Sequence, residues 1–260
     1  METLLLIIDM QNDFCSPDGA LYVRGAEVDV SRLAAFIARN SGKINHIILT
    51  QDNHQVIDIS HPGFWEDRDG NPPEPFTVIT PDDIRKGTWT PRFDTQKAVD
   101  YVYSLEKQGE FPHVIWPEHC IIASYGAAIV NEIMEPVRQW ARKGRFFDVV
   151  IKGTNPFTEH FGALKANVPI EGSPETQLNT ELVRDLKDSD KILIAGEARS
   201  HCVATTIKQM LEIEDLARKL FIMEDCMSDV TGFETIALPI YEKAKKEGAR
   251  SISSTDTKWY

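Results

Sequence analysis

Leu4-Leu5-Leu6-Ile7-Ile8-Asp9-Met10-Gln11-Asn12-Asp13-Phe14 carries five aliphatic residues that stop at a carboxylate. A run without polar alternation must be covered on both faces, and this one is too short for a buried helix. It reads as an inner strand of a parallel sheet, with Asp9 at its carboxyl end. The pattern repeats at Ile44–Thr50, His113–Trp116, Asp148–Lys152, Lys191–Ala195 and Lys219–Glu224. Helical periodicity lies between these runs, at Glu27–Arg39, Ala127–Arg142, Glu181–Leu186, Cys202–Ile213 and Thr235–Lys246. Strand–helix alternation predicts the α/β class: a three-layer α/β/α arrangement around a six-stranded, mostly parallel sheet. Residues 55–112 break the rhythm with seven prolines and a single helical stretch, Asp94–Leu105. Phe64, Trp65, Phe76, Trp89 and Phe93 give that stretch packing capacity. It is expected to cap one domain that spans 1–260.

Composition narrows the function. The net charge of −12 and pI near 5.1 disfavour a nucleic-acid partner, which needs a basic face. They also disfavour an anionic membrane surface. The N-terminal apolar run lacks the basic flank and length of a signal peptide. No stretch reaches the roughly 18 apolar residues of a spanning helix. Cys15, Cys120, Cys202 and Cys226 lie far apart and are expected to be reduced thiols in a cytoplasmic protein.

In such sheets, chemistry gathers where strands end. Asp9 ends the first run, Asp52 and His54 follow the second, and His119 the third. Lys152 closes the fourth, and Cys202 opens the helix after the fifth. A cysteine at a helix start is expected to have a lowered pKa, and its thiolate is the nucleophile. Backbone N–H groups there can receive an oxyanion. Asp9, beside apolar residues, suits proton exchange near neutrality, and the Lys152 ammonium suits charge stabilisation. Together they read as a nucleophilic machine: the carboxylate takes the thiol proton, and the thiolate attacks an amide to give a thioester. Alone, each residue is equally compatible with a strand-end charge or an inert buried thiol.

The Asp9–Phe14 string, Lys152-Gly153 and Glu197-Ala-Arg-Ser-His-Cys202-Val resemble the three motifs of the isochorismatase-like cysteine hydrolases, and within them the nicotinamidase branch. The resemblance implies the isochorismatase-like hydrolase fold, with Asp9, Lys152 and Cys202 as the catalytic residues. It also implies a cis peptide between Glu197 and Ala198, with oxyanion donors on the N–H groups of Ala198 and Cys202. Asp52-Asn-His54 and Trp116-Pro-Glu-His119-Cys120 resemble that branch's metal-bearing segments. They imply that Asp52, His54 and His119 hold one divalent cation, Zn²⁺ or alternatively Fe²⁺ or Mn²⁺, with His61 nearby. Phe14 and Trp116 match aromatic residues that sandwich a pyridine ring. The implied activity is hydrolysis of nicotinamide to nicotinic acid and ammonia by a homo-oligomer that binds neither nucleic acid nor membrane. Departures from the pattern are Ala123-Ser-Tyr-Gly126 for a Gly-Thr-x-Gly run, Arg199 for a smaller residue, and the long cap. Two alternatives stand beside it: another small amide or carbamoyl substrate for the same triad, and a non-catalytic ligand-binding protein.

Overall fold

The computed structural model describes residues 1–257 and Trp259. Among them, six strands form one sheet: β1 (Thr3–Ile8), β2 (His46–Asp52), β3 (Phe147–Lys152), β4 (Lys191–Gly196), β5 (Leu220–Met223) and β6 (Arg250–Ile252). Their order is β6-β5-β4-β1-β2-β3, and every pairing is parallel. The aliphatic run at the N-terminus is therefore central, with Leu5 level with Ile47 on one side and Leu193 on the other.

Residue parity decides which layer each strand residue joins. Leu5 and Ile7 pack with Leu33, Phe36 and Ile37 of α1 (Ala26–Asn40). On the opposite face Leu4, Leu6 and Ile8 meet residues of three later helices. The other helices of eight or more described residues are, in chain order, α2 (Thr95–Gln108), α3 (Asn131–Ala141), α4 (Thr180–Asp188), α5 (Ala204–Leu211) and α6 (Leu238–Lys246). α3 joins α1 through Ile133, Val137 and Trp140, while α4, α5 and α6 fill the other layer. The expected three-layer class is what forms.

Two strand assignments differ from the sequence reading. His113–Trp116 does not enter the main sheet: His113–Val114 pairs antiparallel with Val78–Ile79 in the cap. The position beside β2 is taken by β3, whose full length matches β2 residue for residue from Ile47 to Asp52. The sixth strand is instead β6, whose Arg-Ser-Ile sequence carries no apolar run to mark it. In addition β3 lies at the sheet edge, so Val149 and Ile151 are exposed rather than covered.

Residues 55–112 build a small apolar cluster of their own. Ile59, Phe64, Trp65 and Ile79 pack on Ala98, Tyr101, Val102 and Leu105 of α2, with Phe157 and Val168 of the body against them. The Trp65 indole N–H donates to Ile59 O at 2.7 Å, which satisfies the one polar atom of a fully buried ring. Among the described residues no helix is long and apolar enough to cross a membrane.

Candidate active site

The strand ends β1, β2, β3 and β4 converge on one buried cluster. Lys152 Nζ lies 2.8 Å from Asp9 Oδ2, 3.2 Å from Asp52 Oδ1 and 3.9 Å from Cys202 Sγ. Thr50, the residue level with the end of β1, donates its hydroxyl to Asp9 Oδ1 at 2.5 Å and accepts the Asp9 N–H at 3.0 Å. All of these side chains are buried. Gly196 permits the approach: a Cβ there would sit 2.0 Å from Ile8 O, and the residue holds φ +132°. The tight passage of β4 past β1 is what brings Cys202 over Asp9.

Burial without compensation would neutralise these charges, so the pairing decides the ionisation. Burial opposes the Lys152 charge, but Asp52, Asp9 and Cys202 outweigh it and hold the ammonium well above its usual range. Asp9 is raised by burial, partly offset by Lys152. Burial also pushes the Cys202 thiol well up, against the pull of Lys152. This departs from the lowered value expected at a helix start. The reason is local: Cys202 sits inside a wide π-type turn, Arg199–Val203, that precedes α5 and is itself buried. The resting sulfur is a thiol beside a carboxylate that can accept its proton.

The Asp9–Phe14 string then works as a clamp. The Gln11 amide donates to Asp52 O at 2.7 Å and accepts the Asp52 N–H at 2.8 Å, fixing the end of β2. Asp13 accepts the Cys120 N–H at 2.7 Å. Gly126 lies over Asp13, where a Cβ would come within 2.0 Å of its carboxylate. So the Ala123–Gly126 segment keeps the one glycine that this contact demands. Phe14 and Trp116 face a pocket lined also by Leu21, Val23, Phe161 and Val230, together with Ala198, Cys202, Asp52 and His119. The peptide between Glu197 and Ala198 is cis.

One oxygen or ring nitrogen from each of Asp52, His54 and His119 lies within 4.8 Å of the others. His54 Nε2 is 3.1 Å from Asp52 Oδ2, while its Nδ1 is 3.1 Å from Asp58. His119 Nδ1 lies 2.9 Å from Pro117 O, and His61 Nδ1 3.3 Å from Val56 O. His119 and His61 thus have Nδ1 held by a backbone oxygen, which leaves Nε2 as a lone-pair donor, the arrangement typical of metal-binding histidines, while His54 has a carboxylate at each ring nitrogen. His61 Nε2 is buried with no hydrogen-bond partner among the described residues, and its ring stands 5.2 Å from His54 and 5.3 Å from His119. Two imidazoles and a carboxylate, with this orphaned nitrogen beside them, fit a divalent cation such as Zn²⁺, Fe²⁺ or Mn²⁺.

The structure brings together every residue singled out from the sequence at this site. Several that the sequence did not reveal also belong here. Thr50 and Asp58 are ordinary polar residues in the sequence, and only folding makes them partners of Asp9 and His54. Phe161, Val23 and Val230 carry no local signal that separates a pocket wall from core. Glu159 accepts the Trp116 indole N–H at 3.1 Å, and burial pushes its carboxyl up to about 8. His201 meets Trp116, Phe161 and Phe233 edge-on, and burial lowers it to about 4, so it packs as a neutral ring.

No family model matches the chain. The nicotinamidase of Saccharomyces cerevisiae is 25% identical over 252 residues, which cover 97% of this chain and 98% of that protein. The solved yeast nicotinamidase bound to the inhibitor nicotinaldehyde superposes with a TM-score of 0.67 at 21% identity, covering 96% of this chain and 99% of that one. The pyrazinamidase of Pyrococcus horikoshii in complex with zinc gives 0.58 at 18% identity, covering 97% and 99%. The sheet order and these full-length likenesses agree on the isochorismatase-like α/β fold, and the chain is similar over nearly its whole length to the nicotinamidases.

Proposed function

We propose that this chain hydrolyses nicotinamide to nicotinic acid and ammonia, with Cys202 as nucleophile, Asp9 as base and Lys152 as charge stabiliser. The observation that carries the reading is the contact of Lys152 Nζ with both Asp9 Oδ2 and Cys202 Sγ beneath an aromatic pocket. Asp9 takes the Cys202 proton, and Lys152 stabilises the thiolate as it forms. The sulfur attacks the carboxamide carbon, and the oxyanion is received by the N–H groups of Ala198 and Cys202, two residues that line the pocket. Asp9 then gives its proton to the departing nitrogen, so ammonia leaves and a thioester remains. Water, deprotonated by Asp9, attacks that thioester. The acid is released, and the proton returns to sulfur.

Phe14 and Trp116 hold the flat ring, with Glu159 fixing the indole through its N–H. Asp52, His54 and His119 would hold the divalent cation, with His61 Nε2 available as a further donor. When bound, that cation supplies a Lewis-acidic anchor for the ring nitrogen. The yeast relative's name and the zinc complex of the neighbour support this reading.

The test is ammonia release from nicotinamide and from a panel of small amides and carbamoyl compounds, with Cys202→Ala alongside. Release from nicotinamide that disappears in Cys202→Ala is expected. Release only from the other compounds would move the substrate while keeping the chemistry. Wild type and mutant equally inactive on the whole panel would end the enzyme reading.

A further inference from the structure

Behind the Cys202 loop lies a second buried acidic pair, which the reaction does not use. Glu197 Oε2 accepts the Ser228 N–H at 3.1 Å, and Ser228 donates its hydroxyl to Asp29 of α1 at 2.5 Å. Arg199 N–H donates to Ser228 O at 2.8 Å, Gly196 N–H to Cys226 O at 3.1 Å, and Val230 N–H to Ser200 Oγ at 3.0 Å. These bonds zip the loop that carries Ala198 and Cys202 to residues 226–230 and, through Ser228, to α1. Glu197 is fully buried and Asp29 nearly so, and Glu197 Oε1 has no hydrogen-bond partner as a carboxylate among the described residues. An O–H on that oxygen, donated to the Asp29 carboxylate, satisfies both groups.

We propose that Glu197 and Asp29 share one proton, and that this acid–carboxylate pair, joined through Ser228, positions the Gly196–Cys202 loop for turnover. The charged groups around the pair do little to neutralise it. From α1, Arg32 reaches Asp29 only at 3.6 Å and is half exposed. From the loop itself, Arg199 is engaged with Asp229 at 3.1 Å. Asp225 and Asp229 add like charge from the 225–230 segment. Cys15, Cys226 and Tyr241 face the pair as neutral groups, each pushed upward chiefly by burial. Burial, and then the Asp29 charge, push the Glu197 carboxyl well above its ordinary range, in keeping with a retained proton. Loss of that proton sets two carboxylates against each other under the loop, so the N–H groups of Ala198 and Cys202 lose their placement. Glu197 acts here as a positioning residue, through the loop.

The kinetic consequence rests on the hydrolase reading; the shared proton itself does not, and the two are tested separately. Infrared titration of the whole protein without substrate should show a carboxylic-acid C=O band that persists above neutrality and is missing in Glu197→Gln. In Asp29→Asn, where the like charge is gone, that band should titrate at lower pH. A wild-type band set unchanged in Glu197→Gln, or an Asp29→Asn band that titrates with the wild type, overturns the shared proton. With nicotinamide, wild-type kcat should fall about tenfold per pH unit above the pair's titration. Glu197→Gln, whose amide cannot lose that proton, should lack this fall, with KM following the wild-type course. Superimposable alkaline limbs in the two proteins would overturn the positioning role even if the proton is shared.

Discussion

Lys152 shows how one side chain can serve stability and chemistry together. Its ammonium lies between the Asp9 and Asp52 carboxylates with no exposure to water. Lys152→Met should therefore abolish ammonia release and also destabilise the fold by about 3–5 kcal/mol, because two buried carboxylates lose their cation. Denaturant unfolding checks the second effect, and unchanged stability would mean that the cluster is not closed in solution. Thr50 gives a subtler case. Its hydroxyl bond favours the ionised form of Asp9, whose carboxyl burial has already raised. Asp9 must be ionised to take the thiol proton, so activity should rise with pH through its folded pKa. Thr50→Val removes the bond and should move the acid limb of kcat/KM to higher pH. A limb left in place would show that Asp9 is not the titrating base.

At the scale of elements, the site depends on how closely β4 passes β1. Gly196→Ala would drive a methyl into Ile8 O at a backbone that neither strand can yield, at a φ that L residues avoid. It should lower stability by several kcal/mol and disrupt the Cys202 loop; a melting temperature within a degree or two of wild type would contradict the packing described. The strands that carry Asp9, Asp52 and the Cys202 loop were legible because buried parallel strands are uniformly apolar and stop at the residues that matter, and β3 was legible from its Val149-Val-Ile151 run although it lies exposed at the sheet edge. His119 was legible for another reason, the Trp116–Cys120 motif, since its segment turned out to be no part of the main sheet. β6 escaped notice because three edge residues, two of them exposed, have no pattern to read. The partners of the site escaped too: Asp58, Thr50 and Asp29 gain meaning only from residues far along the chain or from a turn. The ionisation of Cys202 was misread, because a sequence shows a helix start but not the depth at which it lies.

For the whole molecule, burial of neutral histidines ties the fold to pH. His113 and His201 are lowered to about 4 and His160 to about 3, each chiefly by burial. Unfolded histidines bind protons near pH 6.5, so between that value and about 4 the unfolded chain takes up protons that the folded one refuses. These rings contribute a loss of stability as pH drops through this window, opposed by the raised Glu159 and Glu197 carboxyls, so the melting temperature of His160→Gln should move upward relative to wild type as pH falls; a difference that does not change with pH would mean that this ring is solvated. The deeper test concerns the joining of three strand ends into one nucleophilic centre. Acid quenching during turnover of nicotinamide, followed by mass spectrometry of the intact protein and its peptides, addresses it directly. A nicotinoyl adduct is expected on the Cys202 peptide in wild type, and none in Asp9→Asn or Cys202→Ala. Turnover by Cys202→Ala at the wild-type rate, or an adduct carried by Cys15, Cys120 or Cys226 instead, would contradict it.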